Sequence, residues 1–322
     1  MEAVVERLLT WDDPAVRYQA RLVLGGADPN SHEMRALAGD VRSSPDCGAL
    51  IDGSFIDTHH VYRKWQGAHW AFVQLAERGH PGGDSRLEEI QEFVFAWILA
   101  PAFLKPNWTR YVEGQDDRVR RCGSMEGNVL WASLQLGLMD ERLQILADRL
   151  GTMQWPDGGW NCDARPQARQ SSFVETVLAL RGLAAWAQAT GDTKAADTLQ
   201  RGVELLLDHH LLFHRSGALI VPWWGPRPDL IGFPIRFFDV LLVLELMADV
   251  GRLDDPRCTR ALEMLVSKRT ADGGFPLETK RARSATEICS NCTFARWGPG
   301  GKTRANPWVT IRALRVLRAA GR

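Results

Sequence analysis

The sequence predicts an all-α protein whose helical hairpins close into a double layer, with inner helices ringed by outer ones. Three observations carry this expectation. Apolar residues recur at i, i+4, i+7 and i+11 in segment after segment, as in Met125, Val129, Ala132 and Leu136 or Phe173, Val177, Leu180 and Ala184. Glycine-rich turns recur at Gly159, Gly217 and Gly274, 58 and 57 residues apart, which fits one helix out and one helix back. The run FFDVLLVLELMADV, residues 237–250, is apolar on nearly all sides, as an inner helix must be when others surround it.

Taken in chain order, inner helices are expected over 65–76, 125–136, 173–184 and 237–248. Further helices are expected near 13–24, 86–99, 140–152, 194–210, 257–268 and 306–319. No run of period-two strands competes with them. About five to six hairpins would then occupy residues 58–322. Residues 1–57 read as short helices and a loop dense in Gly, Asp and Ser, a cap or lid over one mouth of the barrel.

Composition limits the function classes. With 45% hydrophobic and 24% charged residues the chain can bury a large core. Its 39 basic and 39 acidic residues cancel, so no global field draws it to nucleic acid. The N-terminus lacks a signal-peptide pattern, and no apolar run reaches the roughly 18 residues of a membrane span. A cytoplasmic protein is expected, its six cysteines kept as thiols. Thirteen Trp against three Tyr imply a large interior to line.

At QWPDGGWNCD, residues 154–163, the run Gln154, Gly158, Trp160 after an amphipathic helix resembles the QW repeat of squalene-hopene and oxidosqualene cyclases, where Gln and Trp tie one outer helix to the next. KRTADGGF, residues 268–275, looks like a degenerate copy. KWQGAHW, SMEGNVLW, SSFVET and WGPGGKTRANPWVT resemble single-barrel bacterial cyclase-like proteins. The resemblance implies the α/α toroid of terpenoid cyclases and protein prenyltransferase β subunits over residues 60–322. It implies a hydrophobic, isoprenoid-like small molecule as substrate. Two departures stand out: the chain has neither the DxDD motif whose middle Asp protonates an alkene in those cyclases, nor the Asp-x-Cys that holds zinc in prenyltransferases.

Several constellations could carry chemistry. Glu126, Glu175 and Asp239 fall near the starts of three inner helices, where an apolar pocket would raise an acid's pKa; capping and ion pairing are the structural alternatives, with Arg236 the nearby partner for Asp239. His59, His60, Lys64 and His69 cluster at the start of the first inner helix, with His60 and Lys64 one turn apart on one face. Of these, His69 and Lys64 are acid–base candidates, while His59 and His60, with Cys162, are weak candidate metal ligands. Cys162 is alternatively a nucleophile or a buried inert thiol. Cys289-Ser290-Asn291-Cys292 is a lone CxxC with a zinc reading. Trp65, Trp160, Trp223, Trp224, Phe237 and Trp308 are candidate substrate-binding walls, since aromatic faces stabilise carbocations.

The function expected is acid-initiated cyclisation or isomerisation of a hydrophobic substrate, requiring no cofactor. The alternatives are a zinc- or iron-dependent enzyme using His, Cys and acid ligands, and a non-catalytic binding protein.

Overall fold

The computed structural model describes residues 2–56, 60–104, 111–222, 225–235 and 237–322. His59, Trp223, Trp224 and Arg236 lie outside the described residues. The described chain is predominantly α-helical.

Its helices are of two kinds. Five are buried on most of their faces: α5 (Ala68–Glu77), α7 (Gly123–Gln135), α9 (Phe173–Thr190), α11 (Val240–Asp249) and α13 (Pro307–Ala319). Interleaved with them are α6 (Ser85–Ile98), α8 (Leu143–Thr152), α10 (Thr193–Asp208) and α12 (Thr259–Val266), which bury a single stripe each. The buried helices pack in sequence, α5 on α7, α7 on α9, α9 on α11 and α11 on α13. The amphipathic ones lie against them, α6 on α5, α8 on α7, α10 on α9 and α12 on α11. This is the period-3.6 logic of the sequence made concrete, because a helix without a polar face must be covered all round.

The N-terminal segment contains α1 (Glu2–Leu9), α2 (Pro14–Gln19) running into a π turn at Ala20–Leu24, α3 (His32–Arg42) and α4 (Pro45–Ser54). It packs on α13 through α2 and the π turn, and on α5 through α4. Three two-stranded pairs sit in the connections: β1 (Tyr111–Val112) with β2 (Gln115–Val119), β3 (Gly232–Phe233) with β4 (Thr279–Lys280), and β5 (Arg283–Ser284) with β6 (Cys292–Thr293).

The turns repeat as a structural unit. At Trp155, His214 and Thr270 the residue donates its N–H to the carbonyl four residues on and accepts from the N–H three residues on. The equivalent glycines, with positive φ, are Gly158, Gly217 and Gly273. This shifts the sequence alignment by one residue, since Ala218 stands where Gly159 and Gly274 do, and only the position needing a left-handed backbone demands glycine.

The tightest contact is between α7 and α9. A Cβ on Gly127 would lie 2.3 Å from the Leu178 carbonyl oxygen, and one on Gly182 would lie 2.3 Å from that of Gly127. The two backbones therefore touch directly, which only glycine allows.

Two expected helix starts move. The helix expected from 65 begins at Ala68, because Trp65 has φ 62° and Gly67 is the N-cap. A Cβ on Gly67 would meet the Val61 carbonyl oxygen at 2.4 Å, so residues 60–67 fold back in tight turns. His60 and Lys64 accordingly do not share a helix face. The helix expected from 237 begins at Val240, with Asp239 as its N-cap.

Candidate metal centre

The N-terminal ends of α7, α9 and α11 lie side by side. The Glu175 carboxylate of α9 accepts from Ser124 of α7, and the rings of Phe173, which opens α9, and Phe238, just before α11, lie 5.6 Å apart. Trp308 of α13 packs edge-on against Trp297 at 5.4 Å. Neither α7 nor α9 is capped by its own N-cap side chain. Instead Glu175 Oε2 accepts from the Ser124 N–H at 3.1 Å and from its hydroxyl at 2.7 Å, so α9 caps α7.

Beside that carboxylate lie two thiols. Cys122, Cys162 and Glu175 place one ligand atom each within 4.8 Å of one another, and the Cys162 Sγ is 3.4 Å from Glu175 Oε1. Cys122 is the N-cap of α7, while Cys162 comes from the loop after the QW-like turn. Cys122 and Glu175 are buried and Cys162 is half-buried. The Cys162 thiol pKa is pushed far up by its hydrogen bond with Cys122, by burial and by the Glu175 charge. For Cys122 the hydrogen bond from Cys162 works downward, but burial and the Glu175 charge outweigh it and the pKa rises.

The remaining expected acids are ion-paired. Glu126 is fully buried and takes both Nε, at 3.1 Å, and Nη2 of Arg121, with Arg149 Nη1 at 3.7 Å. Asp239 caps α11, accepting from Leu241 and Leu242 N–H at 3.1 and 3.0 Å, from Gly232 N–H at 3.1 Å and from Arg281 Nη2 at 2.7 Å. Arg281, 42 residues away, is thus its ion-pair partner among the described residues, and the expected partner Arg236 lies outside them. Burial pushes the Asp239 carboxyl up and the Arg281 guanidinium down, each against the pull of the other.

Among the described residues no histidine joins the cluster around Cys162. His69 is fully buried in an aromatic cluster, 5.1 Å from the Trp70 ring, 5.6 Å from Trp97 and 5.7 Å from Tyr62, and neither ring nitrogen has a hydrogen-bond partner among the described residues. Desolvation lowers its pKa to about 3. His60 accepts the Tyr62 N–H at Nδ1 and packs edge-on against Trp97. Of the candidate ligands His59, His60 and Cys162, Cys162 lies in a cluster with Cys122 and Glu175, His60 is not in that cluster, and His59 lies outside the described residues.

Among the aromatic candidates, Trp65 and Phe237 line one pocket of about 510 Å³, with the Lys64 ammonium 4.1 Å from the Trp65 ring and 5.7 Å from Phe237. Trp160 is buried and donates to the Leu150 carbonyl at 3.1 Å, joining the turn to α8. Trp308 is buried beneath the Arg78 guanidinium at 5.0 Å. Gln154 donates to the Thr198 carbonyl of α10 at 2.8 Å and accepts from Arg201 at 2.8 Å, tying the end of α8 to α10.

Cys289 and Cys292, expected as thiols, form a disulfide. Their turn is held by Gln66, which accepts from Cys289 N–H and donates to the Glu287 carbonyl, and by β5–β6 pairing. The pair is therefore not a zinc ligand set in this state. Sequence reasoning overlooked Cys122 and Ser124. The available signal was Arg121-Cys122-Gly123-Ser124 at the opening of an all-round apolar helix, but nothing in the spacing links residue 122 to residue 162. No helix among the described residues is long and apolar enough to cross a membrane. Comparison of the sequence with protein-family models and with curated proteins finds no match.

Proposed function

We propose that this chain is an α/α toroid enzyme, related in fold to terpenoid cyclases and prenyltransferase β subunits, whose chemistry is centred on a metal ion held by Cys122, Cys162 and Glu175. The single observation that carries the reading is the convergence of two thiols and a carboxylate, from three chain segments, at the N-terminal ends of α7 and α9. The 3.4 Å separation of Cys162 Sγ and Glu175 Oε1 is close to the edge of about 3.5 Å expected for a tetrahedron with zinc–sulfur and zinc–oxygen bonds of roughly 2.3 and 2.0 Å. Two soft thiolates favour zinc over magnesium or calcium.

The ring geometry is supported by the serial packing of α5, α7, α9, α11 and α13, and by the N-terminal segment that bridges α13 back to α5. In this reading that segment is a stave of the ring rather than a lid. The repeated turn and the Gln154 bridge between α8 and α10 also support it.

Cys122, Cys162 and Glu175 would hold the ion, which would supply Lewis-acid polarisation to a substrate group or water. The chain's own groups do the positioning. Ser124 fixes one oxygen of Glu175, so that the other turns toward Cys162. Trp65 and Phe237 offer aromatic walls to an apolar group in a pocket whose lining contains none of the three ligand residues, with Lys64 near both rings. Acid-initiated cyclisation, the function the sequence first suggests, then rests on Glu175 alone, because Glu126 and Asp239 are engaged by arginines.

Metal content of protein purified without chelator separates the two chemistries. The metal reading expects about one zinc or iron per chain, lost in Cys122→Ser, Cys162→Ser and Glu175→Gln variants that remain folded. Metal-free protein that takes up no zinc on reconstitution would remove that reading and return Glu175 to the role of acid.

A further inference from the structure

Toward the opposite ends of the same helices, charges replace aromatic rings. Arg181 of α9 contacts Glu77 of α5 at 2.6 Å, and Glu77 contacts Arg312 of α13 at 3.0 Å. Arg312 also grips Glu245 of α11, through Nε at 2.7 and 2.8 Å. Glu245 lies 3.4 Å from Arg315, which holds Asp249 at 2.7 Å. The charges alternate along this chain and cancel, three guanidiniums against three carboxylates.

The chain has an unspent end. Arg181 is 8% exposed, its Nη1 has no hydrogen-bond partner among the described residues, and its guanidinium stacks on Trp131 with 3.3 Å to the ring centroid. A buried N–H edge left unmatched is costly and calls for an acceptor. Arg181, Trp131, Gln135 and Gln188 line a cavity of about 540 Å³, together with Gln19 from α2. Glu77, Glu245 and Asp249 also face it, each already held by an arginine.

We propose that this cavity binds a small molecule bearing one carboxylate, with the Arg181 guanidinium edge as its anchor. The planar guanidinium fork matches a carboxylate, and its apolar side is already fixed by Trp131. Because the surrounding ion chain is neutral overall, one negative charge is accommodated and the larger charge of a phosphate is not. The exposed Gln135 and Gln188 and the neighbouring Gln19 carry amides for a second polar group of the ligand. The site lies away from Cys122, Cys162 and Glu175 and does not depend on the metal reading.

The test is a titration of the full chain at about pH 8, in buffer free of carboxylates, with acetate, glycolate and inorganic phosphate, followed by thermal shift and calorimetry. Acetate and glycolate, each with one carboxylate, should stabilise the protein saturably, with Kd in the millimolar range or tighter, and phosphate, a dianion there, should not. Arg181→Lys should weaken the response. Gln135→Glu with Gln188→Glu, which adds rim charge without touching the buried ion chain, should weaken it about tenfold even if the Arg181 variant fails to fold. No saturable response of the wild type up to about 100 mM, an equal response to phosphate, or a response unchanged in the double glutamate variant would overturn the proposal.

Discussion

Gly127→Ala is expected to destabilise the protein although it improves helix propensity. The added Cβ would sit 2.3 Å from the Leu178 carbonyl oxygen and 2.5 Å from the Ala179 Cα. Both are backbone atoms, so no rotamer change relieves the clash, and α7 must retreat from α9 by roughly 1 Å to reach ordinary contact. Overpacking of this kind costs about 1–3 kcal/mol, with the upper end apt here. The gain from replacing a helical glycine is about 1 kcal/mol, leaving a net loss of about 2 kcal/mol. In a chain of this size that lowers Tm by about 4 °C. Gly39→Ala in α3 is the control, because nothing lies within 4 Å of its added Cβ; it should be neutral or stabilising by up to about 1 kcal/mol. Urea and thermal melts of both variants measure the difference. If Gly127→Ala melts at or above the wild type, the direct backbone contact of α7 and α9 is not present. The same retreat would pull Ser124 from Glu175, so metal affinity should fall with stability.

Asp239→Ala should cost about 3–5 kcal/mol by denaturant titration, since it strands the buried Arg281 and uncaps α11; Asp239→Asn, which keeps the capping oxygen, should cost less, and equal losses would mean that the cap contributes nothing. His69, with its pKa lowered to about 3, stays neutral in the folded state while the unfolded chain takes up its proton below the ordinary value of 6.5. Folding stability attributable to His69 is therefore fully present above pH 6.5 and falls as pH drops toward 3, by about 2 kcal/mol between neutrality and pH 5. His69→Phe should remove that portion of the slope, and an unchanged slope would place the proton elsewhere.

How much of this was legible in the sequence depends on the range of the interaction. The buried helices announced themselves through all-round apolarity, as in Val240–Met247, and the turn repeat through its glycines. Local backbone exceptions shifted the boundaries: Trp65 at positive φ delays α5, and Asp239 caps a helix that its apolar neighbours seemed to extend. Pairings that join distant segments were not legible. Arg281 reaches Asp239 only once β3 and β4 are aligned, since Asp239 also takes the Gly232 N–H. Likewise Cys122 and Cys162 meet because Gly127 and Gly182 bring α7 against α9 and thereby set the loop after α8 over both helix starts. Cys162 and Glu175 were each visible as candidates; that they lie side by side was not.

Anomalous diffraction at the zinc edge, from a crystal of the protein purified without chelator and reconstituted with zinc, tests the central claim most directly. The account predicts one strong peak at the starts of α7 and α9, about 2.3 Å from both Cys122 Sγ and Cys162 Sγ and about 2.0 Å from a Glu175 oxygen. A map with no peak at these residues, or with zinc bound only elsewhere, would contradict it.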